Sequence, residues 1–128
     1  MRSGLELHDS RIDWVEIIEA DAHVHFSHAY IHKSKGTPGR DSGTGWSQEA
    51  VLVIAGTVSM MHLPPLPNTI SDGYLEVGGI KHTLLPLPFT RKADVSLSLV
   101  FSDGTTLNLS GRGVSVELLG QAIYLEDF

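Results

Sequence analysis

No cysteine occurs among the 128 residues, which removes disulfides, thiolate nucleophiles and cysteine-based zinc sites from consideration. Long apolar runs are missing too. The longest, such as Val51 to Ala55, fall far short of a membrane span, so a soluble chain with no membrane partner is expected. The opening Met1-Arg2-Ser3-Gly4-Leu5-Glu6 lacks the basic segment and apolar core of a signal peptide, and the cytoplasm is the expected compartment. Positive charge is scarce: 9 Lys and Arg stand against 15 Asp and Glu, a net charge of −6. Nucleic-acid binding draws its affinity from clustered cations. The one local cluster, Lys33, Lys35 and Arg40, lies in a Gly-rich stretch without interleaved aromatics, so nucleic acid is excluded as a partner.

What is present describes an ordinary globular chain. The length suits one domain, residues 1–128, that buries a core without disulfides or a structural metal. Hydrophobic residues make up 41% and charged residues 19%, which predicts order rather than disorder. Acidic residues crowd the start, where Glu6, Asp9, Asp13, Glu16, Glu19 and Asp21 are opposed by Arg11 alone. Such a face repels phosphate and steers a basic partner in. The alternative is a solvated surface that serves solubility.

Periodicity points to strands. Ala22, Val24, Phe26 and Tyr30, like Val95, Leu97, Leu99 and Phe101, recur with the two-residue period of a half-buried strand. Ser102-Asp103-Gly104 separates Asp94–Phe101 from Thr105–Ser110, and Gly78-Gly79 separates Tyr74–Val77 from Ile80–Leu84; both are hairpin chemistry. A third pair is expected, with Val114–Leu118 running to Gly120 and Ala122–Leu125 returning. Ile12–Ile18 reads as a strand paired with Ala22–His32 through a turn at Glu19–Asp21. A short helix is the alternative there, because Trp14, Ile17 and Ile18 also fit a helical stripe.

Two irregular segments interrupt the strands. A Gly-rich loop is expected at 33–47, mobile and carrying Trp46 near its end. Leu63-Pro64-Pro65-Leu66-Pro67 is expected to end an Ala50–His62 strand and form a Pro-rich connection at 63–68, since proline cannot donate to a sheet ladder. Leu85-Pro86-Leu87-Pro88-Phe89 repeats the interruption. The pattern predicts an all-β, single-domain antiparallel β-sandwich or small barrel with at most one short helix.

Four of the seven histidines fall in Asp21-Ala22-His23-Val24-His25-Phe26-Ser27-His28-Ala29-Tyr30-Ile31-His32. Asp21-Ala22-His23-Val24-His25 spells the first metal motif of amidohydrolase-type barrels, where two histidines two apart point the same way. Those barrels need about 250 residues, so the spelling does not carry the activity here. Cupins also place a His-x-His pair on a strand, and their size fits. Their following carboxylate is absent, as Ala29 and Tyr30 hold the corresponding positions. In that alternative His23 and His25, completed by His62 or His82 with Asp21 or His32, hold one divalent transition metal; otherwise no cofactor is expected. The simpler reading places His23 and His25 on the wet face of a sheet, opposite Val24 and Phe26, with His28 on the Ala22–Tyr30 side. No Gly-x-Ser-x-Gly elbow or phosphate loop occurs.

The opening Leu7-His8-Asp9-Ser10-Arg11-Ile12, the Phe101-Ser102-Asp103-Gly104 hairpin, and the closing Leu118-Leu119-Gly120 through Tyr124-Leu125-Glu126-Asp127-Phe128 together resemble small bacterial all-β proteins, some of them toxin-neutralising immunity proteins. The resemblance covers the two ends and one hairpin, and implies a β domain with a binding role and no catalytic residue. The expected function is a non-catalytic immunity or inhibitor protein for a basic, nuclease-type toxin. Its candidate contacts are Asp9, Asp13, Glu16, Glu19 and Asp21, with Trp46 as an aromatic anchor or, equally, folded into the core.

Overall fold

The computed structural model describes residues 1–57, 59, 60 and 62–128, and every described element is a β-strand. In chain order these are β1 (Arg2–Ile18), β2 (Asp21–Ser34), β3 (Gly43–Ala55), β4 (Ser59–Met60), β5 (Asn68–Val77), β6 (Ile80–His82), β7 (Leu84–Leu87), β8 (Phe89–Arg91), β9 (Val95–Phe101), β10 (Thr106–Gly111) and β11 (Gly113–Asp127). They pair antiparallel in an 11-stranded sheet that does not close, in the order β4-β10-β9-β5-β1-β2-β3-β11-β8. Strand β6 is added to β5, and β7 to β1.

Strand β1 bridges the two halves. It runs beside β2 for most of its length, and Arg11 and Ile12 also pair with Thr69 and Asn68 of β5. Alternation then gathers one core from both halves. Leu5 and Ile12 of β1, Val24 and Phe26 of β2, and Leu52 and Ile54 of β3 share a buried cluster with Ile70, Leu75, Leu97 and Phe101. Each such side chain contributes about 1.5–3 kcal/mol by leaving water.

Turn chemistry fixes the register. Gly78 and Gly79 both take positive φ (56° and 85°) between β5 and β6, as the tight hairpin turn requires. Between β9 and β10 the Asp103 carboxylate accepts hydrogen bonds from the Thr105 hydroxyl at 2.6 Å and the Thr105 N–H at 3.0 Å, which holds Asp103 below the usual carboxylate range.

The strand expected at Ile12–Ile18 forms, with Ile12 opposite Phe26 and Val15 opposite Val24; burial of those pairs overrides the helical spacing of Trp14, Ile17 and Ile18. Several other sequence expectations need correction. The expected loop at 33–47 contracts to 35–42, because the β2–β3 ladder continues through Lys33–Thr44 and Ile31–Trp46. Gly43 serves close packing there: a Cβ would run into the Lys33 carbonyl. The strand expected at Ala50–His62 is β3, which ends at Ala55; Val58 and Met61 lie outside the described residues. The connection before β5 spans 62–67. Leu84–Leu87 forms a strand despite Pro86, since among the described residues β7 pairs with β1 alone and a missing N–H on the open side costs no ladder bond. Finally, Val114–Leu118 and Ala122–Leu125 are not a hairpin. They belong to one strand, β11, in which Gly120 (φ 67°) sits in a bulge between Leu119 and Ile123.

Candidate functional site

The histidine strand β2 lies among the four long strands β1, β2, β3 and β11. Ala22, Val24 and Phe26 are buried, so His23 and His25 face outward, as alternation predicts. Between Phe26 and Ala29 the β2–β3 register slips. Ala29 and Ile31 take the buried side beyond the bulge, and His28, Tyr30 and His32 join His23 and His25 on the outer face. The expected placement of His28 and Tyr30 on the side of Ala22 is thereby corrected: one inserted residue reverses every later side chain.

Two clusters form on this face. In the first, Trp14 stands across from His25, and their rings stack with centroids 4.3 Å apart. His25 Nε2 lies 3.1 Å from Glu16 Oε1, and the His23 ring is 6.4 Å from that of His25. Asp13 and Glu49 line the same recess as Trp14 and His25. Trp14 remains 50% exposed, so half of a large aromatic surface is available beside carboxylates.

In the second cluster, His32 Nε2 lies 3.1 Å from Glu6 Oε2, and its ring packs 4.8 Å from Phe128 and 4.9 Å from Tyr30. Gly45 stands beside His32 in the ladder, and a Cβ there would strike the Tyr30 hydroxyl and approach Phe128. The Tyr30 phenol is pushed up to about 12, first by burial, then by the charge and hydrogen bond of Glu126, then by Glu6 and Asp9. A buried serine holds the strands together at this point. Ser10 Oγ donates to the Glu6 carbonyl and accepts the Tyr30 N–H at 2.9 Å, replacing ladder bonds where β1 bulges between Glu6 and Arg11.

The other expected site residues are spread out. Asp9 sits in the β1 bulge with φ 71°, its carboxylate 3.1 Å from His8 Nδ1. Glu19 (φ 58°) occupies the β1–β2 turn. Asp21 accepts the Gly56 N–H at 3.1 Å and so ties that turn to the end of β3. Trp46 packs against the core, opposite Ile31. Its Nε1 donates to Thr44 Oγ1 at 2.7 Å, Lys33 Nζ lies 4.4 Å from its ring, and Tyr124 meets it edge-on at 5.5 Å. Asp13 and Glu16 are therefore brought together with Trp14 rather than with Trp46.

His82 lies on β6 with its ring edge-on to Phe89 at 5.5 Å, and His62 lies in the connection before β5. Among the described residues no group of three or more His, Asp or Glu is gathered for a metal ion. Sequence reasoning missed the exposed Trp14 stacked on His25 and the Tyr30–His32–Phe128 cluster. The first was signalled by its cross-strand spacing to His25, whereas the second depends on a bulge with no sequence mark.

The outer part of β11 is the remaining feature. Among the described residues β8 pairs with it only at Val114–Val116, and Ile123, Tyr124 and Leu125 beyond are 65%, 51% and 47% exposed. Among the described residues no helix is long and apolar enough to cross a membrane. Comparison with protein families, curated proteins and solved structures finds no match to this chain.

Proposed function

We propose that this chain is a non-catalytic protein-binding module, in the form of an immunity or inhibitor protein acting on a basic, nuclease-type toxin in the cytoplasm. The observation that carries the reading is the strip on β1 where Asp13 and Glu16 flank the half-exposed Trp14, held against His25 at 4.3 Å. A rigid aromatic supplies interface energy, and the carboxylates around it speed the approach of a basic partner. Asp9 in the β1 bulge and Glu19 in the β1–β2 turn stand apart from this strip and, with the net charge of −6, add to the attraction at longer range.

The test begins with untagged protein recovered from its source cells, with a basic protein expected at one equivalent. Association of that partner with an Asp13→Lys/Glu16→Lys variant is then followed by stopped flow. A slowing of about tenfold or more at low salt is expected, shrinking as salt screens the charges. Equal rates for the variant and the parent would refute the reading.

A small cupin-like metalloprotein, or a metal-dependent enzyme, is the second reading, supported by the outward His23 and His25 with Glu16 beside them. Two imidazoles leave the remaining coordination positions to water or a carboxylate. Titration with zinc should then show one-site binding that is lost in both His23→Ala and His25→Ala. Zinc binding unchanged in those variants would remove this reading.

A further inference from the structure

We infer that the open edge of β11 accepts an extended basic segment of the partner as an added antiparallel strand, a proposal that rests on the protein-binding reading and specifies its mode. From Glu117 to Asp127, β11 has β3 as its one paired neighbour among the described residues. In an antiparallel ladder every second residue turns its N–H and C=O away from the neighbour, so this edge presents a row of free main-chain groups. Natural edges are blunted by lysine, proline, short length or bulges. Strand β11 has no Lys, Arg or Pro and spans 15 residues. Its bulges, at Gly120 and between Tyr124 and Glu126, still leave Ile123 and Leu125 largely exposed.

The charge pattern selects the occupant. Cross-strand pairing sets Glu117 opposite Val51, Leu119 opposite Glu49, Ile123 opposite Ser47 and Glu126 opposite Gly45. The outer face of the edge therefore reads acidic, apolar, apolar, acidic. A complementary strand is basic at both ends and apolar between them. A second copy of this chain is a poorer occupant: β11 carries Glu117, Glu126 and Asp127 and no Lys or Arg, so two copies of this edge repel each other.

A recess beside the edge strengthens the assignment. Ser27, Glu49, Gly120 and Ile123 help to line a cavity of about 130 Å³. A lysine or arginine side chain entering this recess meets the Glu49 carboxylate.

The probe is a short peptide with lysine at each end and alternating valine and threonine between, titrated into the ¹⁵N-labelled full chain at low salt. Two further peptides carry glutamate in place of lysine, or methyl groups on alternate backbone nitrogens. Amide shifts should concentrate on Glu117–Asp127, and affinity should fall about tenfold or more for both control peptides, through lost charge pairing and lost main-chain hydrogen bonds. A Glu117→Lys/Glu126→Lys variant should reverse the preference toward the glutamate peptide. Absence of shifts on β11 at millimolar peptide, or equal binding of the methylated peptide, would overturn the proposal. So would self-association through β11 without peptide, which gives the edge to a second copy. Strands β2 and β3 separate β1 from β11, so the Asp13 and Glu16 kinetics judge the protein-binding reading independently of the edge.

Discussion

Replacing Tyr30 by phenylalanine should change how stability responds to alkaline pH. The phenol is held at about 12, against an ordinary value of 10.0, by burial first and then by Glu126, Glu6 and Asp9. That rise corresponds to a preference of about 2.7 kcal/mol for the neutral phenol in the folded chain. Solvent reaching the partly exposed ring reduces the working figure to about 1–2 kcal/mol. The sign follows from linkage. Below pH 10 both folded and unfolded chains hold the proton, and the stabilising contribution is complete. As pH rises from 10 toward 12 the unfolded chain releases its proton while the folded chain keeps it, so the contribution is lost across that interval. Urea unfolding at pH 8 to 12 should therefore show the parent losing about 1–2 kcal/mol more than Tyr30→Phe across the interval. Comparing the two proteins cancels the titration of the other tyrosines and the lysines. Parallel stability profiles for the two would refute the environment assigned to Tyr30.

Other perturbations test the surrounding structure. Ser10→Ala strips partners from the Glu6 carbonyl and the Tyr30 N–H and should cost about 1–3 kcal/mol in urea unfolding; a neutral effect would show that water replaces the hydroxyl. Gly45→Ala places a methyl group against the Tyr30 hydroxyl and Phe128 and should cost about 1–3 kcal/mol, with Gly45→Ala/Tyr30→Phe recovering part of it in a double-mutant cycle. Phe89→Ala empties a fully buried site and should cost about 3–5 kcal/mol, visible as a lower Tm.

The fold class was legible because most of its signals are local. Alternation in Val95–Phe101 and the glycines at 78 and 79 mark strands and turns that need no distant partner. What escaped the sequence depends on pairing between distant segments. Gly120 has the same composition whether it turns the chain back or bulges it, and only the continued ladder with Trp46 and Ser47 decides for the bulge. The slip between Phe26 and Ala29 is likewise set by β3, which is why the outward placement of Tyr30 and His32 was unreadable. Asp13 and Glu16 were identified from charge alone, whereas the aromatic they accompany was taken to be Trp46 rather than Trp14. Trp46 follows a run of glycines that suggested a loop, yet its ladder position opposite Ile31 turns it toward the core.

The pairing of β3 with β11 also bears on biosynthesis. Between Ala55, where β3 ends, and Gly113, its partner at the start of β11, lie roughly 60 residues, which take about 3–12 s to synthesise at ordinary rates. Throughout that delay Ala50-Val51-Leu52-Val53-Ile54-Ala55 has β2 on one side and nothing from β11 on the other. This segment combines high β-propensity with no charge, the composition most prone to join another chain. The run that sends Ala50, Leu52 and Ile54 into the core is thus one the nascent chain must shield while the intervening strands are made, and cellular yield should track how quickly β11 arrives.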